Sequence, residues 1–160
     1  MRRVFFRRRR EGKTDYKARM GLLMSGKPRL VVRKTNRYII GQIVKSEGAR
    51  DYVAVGINSK ELAKFGWTNS FKNTPAAYLT GLLLGKKAVG EGIAKAVFDI
   101  GIQRSTRGSR IYAFLKGAID AGLSLEYSKD VLPKEERITG RHINEKIGDD
   151  IKKIKEKILK

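Results

Sequence analysis

The apolar positions of this chain change period along its length. Leu30-Val31-Val32-Arg33, Tyr38-Ile39-Ile40-Gly41-Gln42-Ile43-Val44 and Tyr52-Val53-Ala54-Val55-Gly56-Ile57 are short runs rich in β-branched residues, separated by Thr35-Asn36-Arg37 and Ser46-Glu47-Gly48. They predict three strands, and connections this short favour an antiparallel meander. Ahead of them, Glu11 to Met24 reads as a helix, with Thr14 and Asp15 as candidate caps and Gly26-Lys27-Pro28 as its stop. Beyond the meander the spacing becomes helical. Ser59 is a candidate cap for a short helix closed by Gly66, and Thr74 as side-chain cap, followed by Pro75 at the first turn, opens a helix running to about Gly90. Ala96-Val97-Phe98-Asp99-Ile100-Gly101 predicts a fourth strand, reached by a helical crossover and parallel to one of the others. Ser109 then caps a helix with Ile111, Phe114, Leu115, Ala118 and Ile119 on one face, ending at Gly122.

The expectation is a single α/β domain with a mixed sheet of β-β-β-α-β-α order over residues 28–133. Residues 1–27 form a basic arm with a short helix, and residues 134–160 a C-terminal tail of helical pattern. In that tail Ile143, Ile147, Ile151, Ile154 and Ile158 make one apolar stripe on a Lys-rich helix, suited to packing on the domain or docking on a partner.

Charge changes the picture from a fold to a function class. The 160 residues hold 36 Lys/Arg against 16 Asp/Glu, a formal net charge of +20. It is polarised: residues 1–37 alone carry 14 basic and 2 acidic residues. A surface of this kind calls for a polyanion. Membrane is the weaker candidate, because no apolar run approaches the roughly 18 residues needed to span a bilayer. With no cysteine, the chain can have neither a disulfide framework nor a cysteine zinc site, which fits an intracellular, soluble protein. The run Arg2-Arg3-Val4-Phe5-Phe6-Arg7-Arg8-Arg9-Arg10 cannot bury itself in a core, so it is expected to be disordered alone and to order against RNA. Lys13, Lys17 and Arg19 continue the basic series, and Phe5, Phe6 and Tyr16 can either stack on unpaired bases or pack on the domain.

Catalytic chemistry finds little support. The one histidine, His142, lies in a polar stretch without an obvious partner, and there is no cysteine nucleophile. Gly81-Leu82-Leu83-Leu84-Gly85-Lys86-Lys87 fails as a phosphate loop, since Lys87 stands where Ser or Thr would hold a metal and the segment sits inside a predicted helix. A two-metal nuclease would draw on Asp51, Asp99 and Asp120, but no spacing forces them together, and Asp99 is better matched with a nearby Lys or a backbone N–H. DNA-binding proteins share the charge, yet no recognition helix, zinc finger or basic zipper is recognisable. A general RNA chaperone would bind any single strand weakly.

Several segments, in order, resemble one family. Arg7-Arg8-Arg9-Arg10-Glu11-Gly12-Lys13-Thr14-Asp15-Tyr16-Lys17-Ala18-Arg19 is similar to the N-terminal signature of the archaeal and eukaryotic 5S rRNA-binding family of the large ribosomal subunit, universal protein eighteen. Ser25-Gly26-Lys27-Pro28-Arg29-Leu30-Val31-Val32-Arg33-Lys34, Gly66-Trp67, Asn73-Thr74-Pro75-Ala76-Ala77-Tyr78-Leu79-Thr80-Gly81-Leu82-Leu83, Asp99-Ile100-Gly101 and Gly117-Ala118-Ile119-Asp120-Ala121-Gly122-Leu123 extend the match over residues 2–142, in the shorter archaeal form. The resemblance implies a ribonuclease H-like fold of the translational-machinery type, without a catalytic metal, cofactor or enzymatic activity. It also implies a cytoplasmic, ribosome-bound protein that attaches 5S rRNA to large-subunit rRNA in the central protuberance, beside neighbours including universal protein five. By this carry-over Arg7, Arg8, Arg9, Arg10, Lys13, Tyr16, Lys17 and Arg19 lie in RNA, Arg29, Arg33, Asn36 and Arg37 contact the 5S backbone, and Lys27 and Asn73 join the RNA-binding set from matching segments. Neither membrane nor DNA is an implied partner.

Overall fold

The computed structural model describes residues 4–48, 50–141, 143 and 145–159. His142, considered above as a catalytic base, lies outside the described residues. In chain order the elements are α1 (Arg7–Arg10), α2 (Tyr16–Met24), β1 (Arg29–Lys34), β2 (Ile39–Glu47), β3 (Arg50–Asn58), a 3-10 turn (Ser59–Phe65), α3 (Thr74–Gly90), β4 (Val97–Asp99), α4 (Arg110–Asp120), a short 3-10 turn (Lys129–Val131), α5 (Glu135–Ile138) and α6 (Glu145–Leu159). This is a single α/β domain built on a four-stranded mixed sheet in the spatial order β3-β2-β1-β4. β1 to β3 pair antiparallel as a meander, and β4 lies parallel to β1. Among the described residues no helix is long and apolar enough to cross a membrane.

Alternation along the strands sorts the sheet into two unlike faces. Leu30, Val32, Ile39 and Ile43 point to the helical layer and are fully buried there. Arg29, Val31 and Arg33 point the other way, together with Asp99 of β4. On the helical side α3 is enclosed nearly all round, with thirteen of its residues from Thr74 to Ala88 buried. That explains why its apolar positions show so little one-sided periodicity: a helix surrounded by sheet and helices has no polar face. α4 packs alongside it, and the isoleucines Ile147, Ile151, Ile154 and Ile158 of α6 are buried in the same core. Ile143 precedes α6 and stays half exposed.

The approach of α3 to α4 is set by missing side chains. A Cβ added to Gly81 would lie 2.0 Å from the carbonyl oxygen of Phe114, and one added to Gly117 would lie 2.0 Å from that of Tyr78. Gly41 of β2 makes the matching space below, where a Cβ would run into the Phe114 ring. The three glycines let the helices and sheet close around Phe114, which is fully buried.

Several local expectations shift, each for a hydrogen-bonding reason. The helix expected from Glu11 is divided by Gly12, whose φ is +61°, and restarts only where the Asp15 carboxylate accepts from the N–H groups of Lys17 and Ala18. The first 3-10 turn is capped by Asn58 in a capping box with Glu61, while Ser59 is buried and its hydroxyl accepts from Ile39 N–H. Asn73, not Thr74, caps α3 by accepting from Ala76 N–H. Ser109 occupies the N-cap position of α4 but makes no side-chain cap bond. β4 is only three residues long because Asp99 accepts from the Gly101 N–H at 2.7 Å and Gly101 turns at φ +61°.

The glycine contact gives a prediction whose sign is diagnostic. In an open helix Gly→Ala gains about 1 kcal/mol of helix propensity. Gly117→Ala should instead lower the unfolding free energy by about 2 kcal/mol or more, because its Cβ overpacks against backbone that cannot move aside. Urea unfolding of the two proteins measures the difference, and a stabilised variant would contradict the close α3–α4 contact.

Candidate nucleic-acid interface

The basic arm begins as one exposed helical turn. Arg7, Arg8, Arg9 and Arg10 form α1, and none of them is buried. Arg8 Nε donates to Thr14 Oγ1 at 2.9 Å, and the Arg9 guanidinium lies 4.3 Å from the centre of the Phe5 ring. Phe6 packs on Tyr16 with ring centres 5.3 Å apart. The aromatics of the arm therefore meet its own residues. Arg7 and Lys13 both reach Glu11, at 3.7 and 2.8 Å. Such exposed pairs are worth little and yield readily to a stronger anion. Lys17 is exposed on α2.

Arg19 ties the arm to the sheet through a 2.7 Å ion pair with Asp51 at the start of β3. Asp51 also receives Arg29 Nη2 at 2.9 Å and the Ser46 hydroxyl at 2.7 Å. Arg29 Nη1 in turn donates to Asp99 Oδ2 at 3.0 Å. A buried guanidinium thus stands between the carboxylates of two strands. Asp51 and Asp99 do converge, although no spacing announced it, and their convergence is consumed by arginine. Among the described residues no group of three or more His, Cys, Asp or Glu is placed to hold a metal. Asp99 does use a backbone N–H, that of Gly101, but its charged partners are arginines instead of the expected lysine. The third carboxylate, Asp120, sits apart on α4 and accepts from the Tyr78 hydroxyl at 2.9 Å and from Lys116 Nζ at 2.7 Å.

The residues at the meander therefore separate. Arg29 is 4% exposed with its terminal nitrogens engaged by protein, so its side chain organises the sheet face from within. Its Nε is buried without a hydrogen-bond partner among the described residues. Arg33 is 41% exposed at its side chain, and its guanidinium is held by the carbonyl oxygens of Val32 and Asp99 and by Asp99 Oδ1. Asn36 and Arg37 are exposed in the β1–β2 turn. Lys27 pairs with Glu126 at 3.0 Å, and Asn73 is half-buried as the cap of α3.

The structure adds cations that the sequence reading passed over. Gln103 accepts from Lys34 N–H and donates to the Val32 carbonyl, pinning the loop after β4 to the end of β1. Arg104 and Arg107, in the same loop, are exposed. The Gly/Ser/Arg composition of residues 103–108 was the available signal. Between α2, the arm and the β1–β4 edge lies a cleft of about 370 Å³, with Arg8, Lys13, Arg19 and Arg33 among the residues lining it.

Two measurements follow from this network. Burial pushes the Asp51 carboxyl up, but hydrogen bonds from Ser46, Arg19 and Arg29 outweigh it and bring the pKa from 3.8 down to about 2. A folded-state value below the unfolded one contributes stability that is complete above the unfolded pKa and lost as pH falls from 3.8 through about 2. Asp51→Asn should accordingly show a shallower loss of unfolding free energy across that window, and parallel profiles for variant and parent would assign the acid limb elsewhere. Arg29→Met should cost about 3 kcal/mol, since it leaves the buried Asp99 Oδ2 unpaired with only Arg33 and Gly101 N–H remaining on Oδ1, whereas Arg10→Met should leave the urea midpoint nearly unchanged.

Comparison with known proteins identifies relatives of this chain. The family described as "Ribosomal large subunit proteins 60S L5, and 50S L18" matches residues 2–92 and 89–128. The "Large ribosomal subunit protein uL18" of Methanoregula boonei is 51% identical over 156 residues, covering 96% of this chain and 90% of the relative. That of Korarchaeum cryptofilum is 55% identical over 141 residues, covering 88% and 72%, and that of Caldivirga maquilingensis 49% over 148 residues, covering 92% and 72%. With a match of this extent and relatives at half identity along nearly the whole length, the chain belongs to the family of ribosomal large subunit proteins 60S L5 and 50S L18.

Proposed function

We propose that this protein binds 5S rRNA and attaches it to the large-subunit rRNA in the central protuberance, beside other large-subunit proteins including universal protein five. Membership of its family makes it a structural, ribosome-bound component of the large subunit and not an enzyme. The finer reading rests on one observation above the others: four consecutive arginines stand exposed on a single helical turn, and the segment that carries them is tethered to the sheet by Arg19–Asp51. A tethered cluster meets several phosphates at once, and counterion release scales with the number neutralised together.

In this reading Arg7, Arg8, Arg9, Arg10, Lys13 and Lys17 supply phosphate contacts from the arm, and Tyr16 stiffens it from beneath through Phe6. Arg33, Asn36, Arg37 and the added Arg104 and Arg107 supply a second group at the sheet end. Arg19, Arg29 and Asn73 act by positioning, through Asp51, Asp99 and the start of α3. Lys27, exposed and paired only with an exposed carboxylate, joins the contact set. The meander followed by a crossover helix and a parallel fourth strand is the arrangement on which we base the ribonuclease H-like assignment. Recognition is then by shape and backbone of folded RNA, the mode suited to A-form helices whose deep groove side chains cannot read.

The test is a titration at several salt concentrations of folded 5S rRNA, a tRNA mixture and duplex DNA. The protein should prefer 5S rRNA, and replacing Arg8, Arg9 and Arg10 together with Ala should lower affinity and reduce the slope of log K against log salt by about 2. Equal affinity for all three nucleic acids would favour a general RNA chaperone, and an unchanged slope would remove the arm from the interface.

A further inference from the structure

We infer that the cleft between α2 and the β1–β4 edge holds one unstacked nucleotide of the bound RNA, its base inside and its phosphates at the rim. The inference rests on the RNA-binding reading above and adds to it a discrete site where bare charge would predict only a surface.

The lining of the cleft is of two kinds. Ala18 and Leu22, one helical turn apart on α2, give it an apolar wall, and Ile102 after β4, 61% exposed, also lines it. Arg8 and Arg33 are cationic. At about 370 Å³ the space falls at the low end of the roughly 300–1,000 Å³ that takes small ligands.

The Arg33 guanidinium is the feature that selects the occupant. Its bonds to Val32, Asp99 and the Asp99 carboxylate hold it in one orientation. A Cβ built on Gly101 would approach its Cζ, Nη2 and Nη1 at 2.8, 2.8 and 3.2 Å. Such similar distances place Gly101 over the face of the guanidinium plane and not at its edge. The plane is thus backed on one side by a residue without a side chain, while 41% of the arginine side chain remains exposed. A fixed, partly open guanidinium plane is a stacking surface for a base. An isolated phosphate would use the cations but not the apolar wall, and an apolar peptide side chain would use the wall but not the cations. A nucleotide engages both. Because a paired base is not free to enter, the occupant comes from a loop or bulge.

The experiment uses the full chain and folded 5S rRNA. Ala18 is exposed on α2, lines the cleft and takes no part in the arginine–carboxylate network, so Ala18→Trp fills the space while keeping the charge. With far-UV dichroism and the thermal midpoint matching the parent, the variant should bind about tenfold more weakly with an unchanged salt slope, the loss expected for one base–platform contact. A benzophenone amino acid in place of Ile102 should crosslink to one or two unpaired nucleotides. Parental affinity in Ala18→Trp, a weakened salt slope, or crosslinks spread over paired regions would each overturn the inference while leaving 5S rRNA binding intact. A parent protein that fails to distinguish 5S rRNA from tRNA would instead overturn the reading beneath it. Should Ala18→Trp fail to match the parent fold, Leu22→Gln, which makes the apolar wall polar with little change of volume, must give the same loss or the inference falls.

Discussion

The guanidinium of Arg29 is the contact on which the functional face depends. It lies almost wholly buried between Asp99 of β4 and Asp51 of β3, with Ser46 of β2 beside it. One side chain from β1 therefore joins all four strands on the face opposite α3 and α4. Buried ion pairs contribute little net stability, because desolvation consumes most of the Coulomb gain, but losing one partner is costly. The arrangement is better understood as a specifier of geometry. It aligns the short β4 against β1, and through Asp51 it leaves an acceptor for Arg19, which fixes where the arm leaves the sheet.

Two kinds of arginine follow from that arrangement. Those with carboxylate partners inside the domain, Arg29 and to a lesser degree Arg33 and Arg19, build the platform. Those in α1 are exposed, with weak partners such as Glu11 for Arg7 and Thr14 for Arg8, and remain available to a polyanion. An overall charge of +20 conceals this division, since each arginine counts equally in a sum. Only the positions of 16 acidic residues in space tell which cations are already neutralised.

The opposite face obeys a different constraint. Gly41, Gly81 and Gly117 remove side chains where β2, α3 and α4 converge on Phe114, so backbone meets backbone or ring directly. That tight layer is rigid in the way close-packed interiors are. It supports the sheet from behind, and α6 adds a further apolar cover through four isoleucines. The phosphate-loop look of residues 81–87 has its explanation here: these glycines serve helix packing inside α3, with their N–H groups within a helix.

Local sequence determined much of the scaffold by itself. β-branched runs separated by turn residues mark the meander, Pro75 marks the first turn of α3, and the isoleucine spacing marks α6, because each signal is a periodicity or a backbone preference confined to a few neighbouring residues. The arm's charge was equally plain, and so was the family resemblance. What only tertiary structure decided was pairing across long separations: Asp51 with Arg19 and Arg29, Asp99 with Arg29 and Arg33, the isoleucine stripe with the domain's own core, and the cleft enclosed between α2 and β4. Those contacts join residues tens of positions apart, and nothing in the local pattern of either partner encodes the other. Which of two neighbours caps a helix was likewise settled by the backbone, with Asn73 and not Thr74 accepting from Ala76 N–H. Sequence announces that a chain can carry charge to RNA, and the fold decides which charges are left to do so.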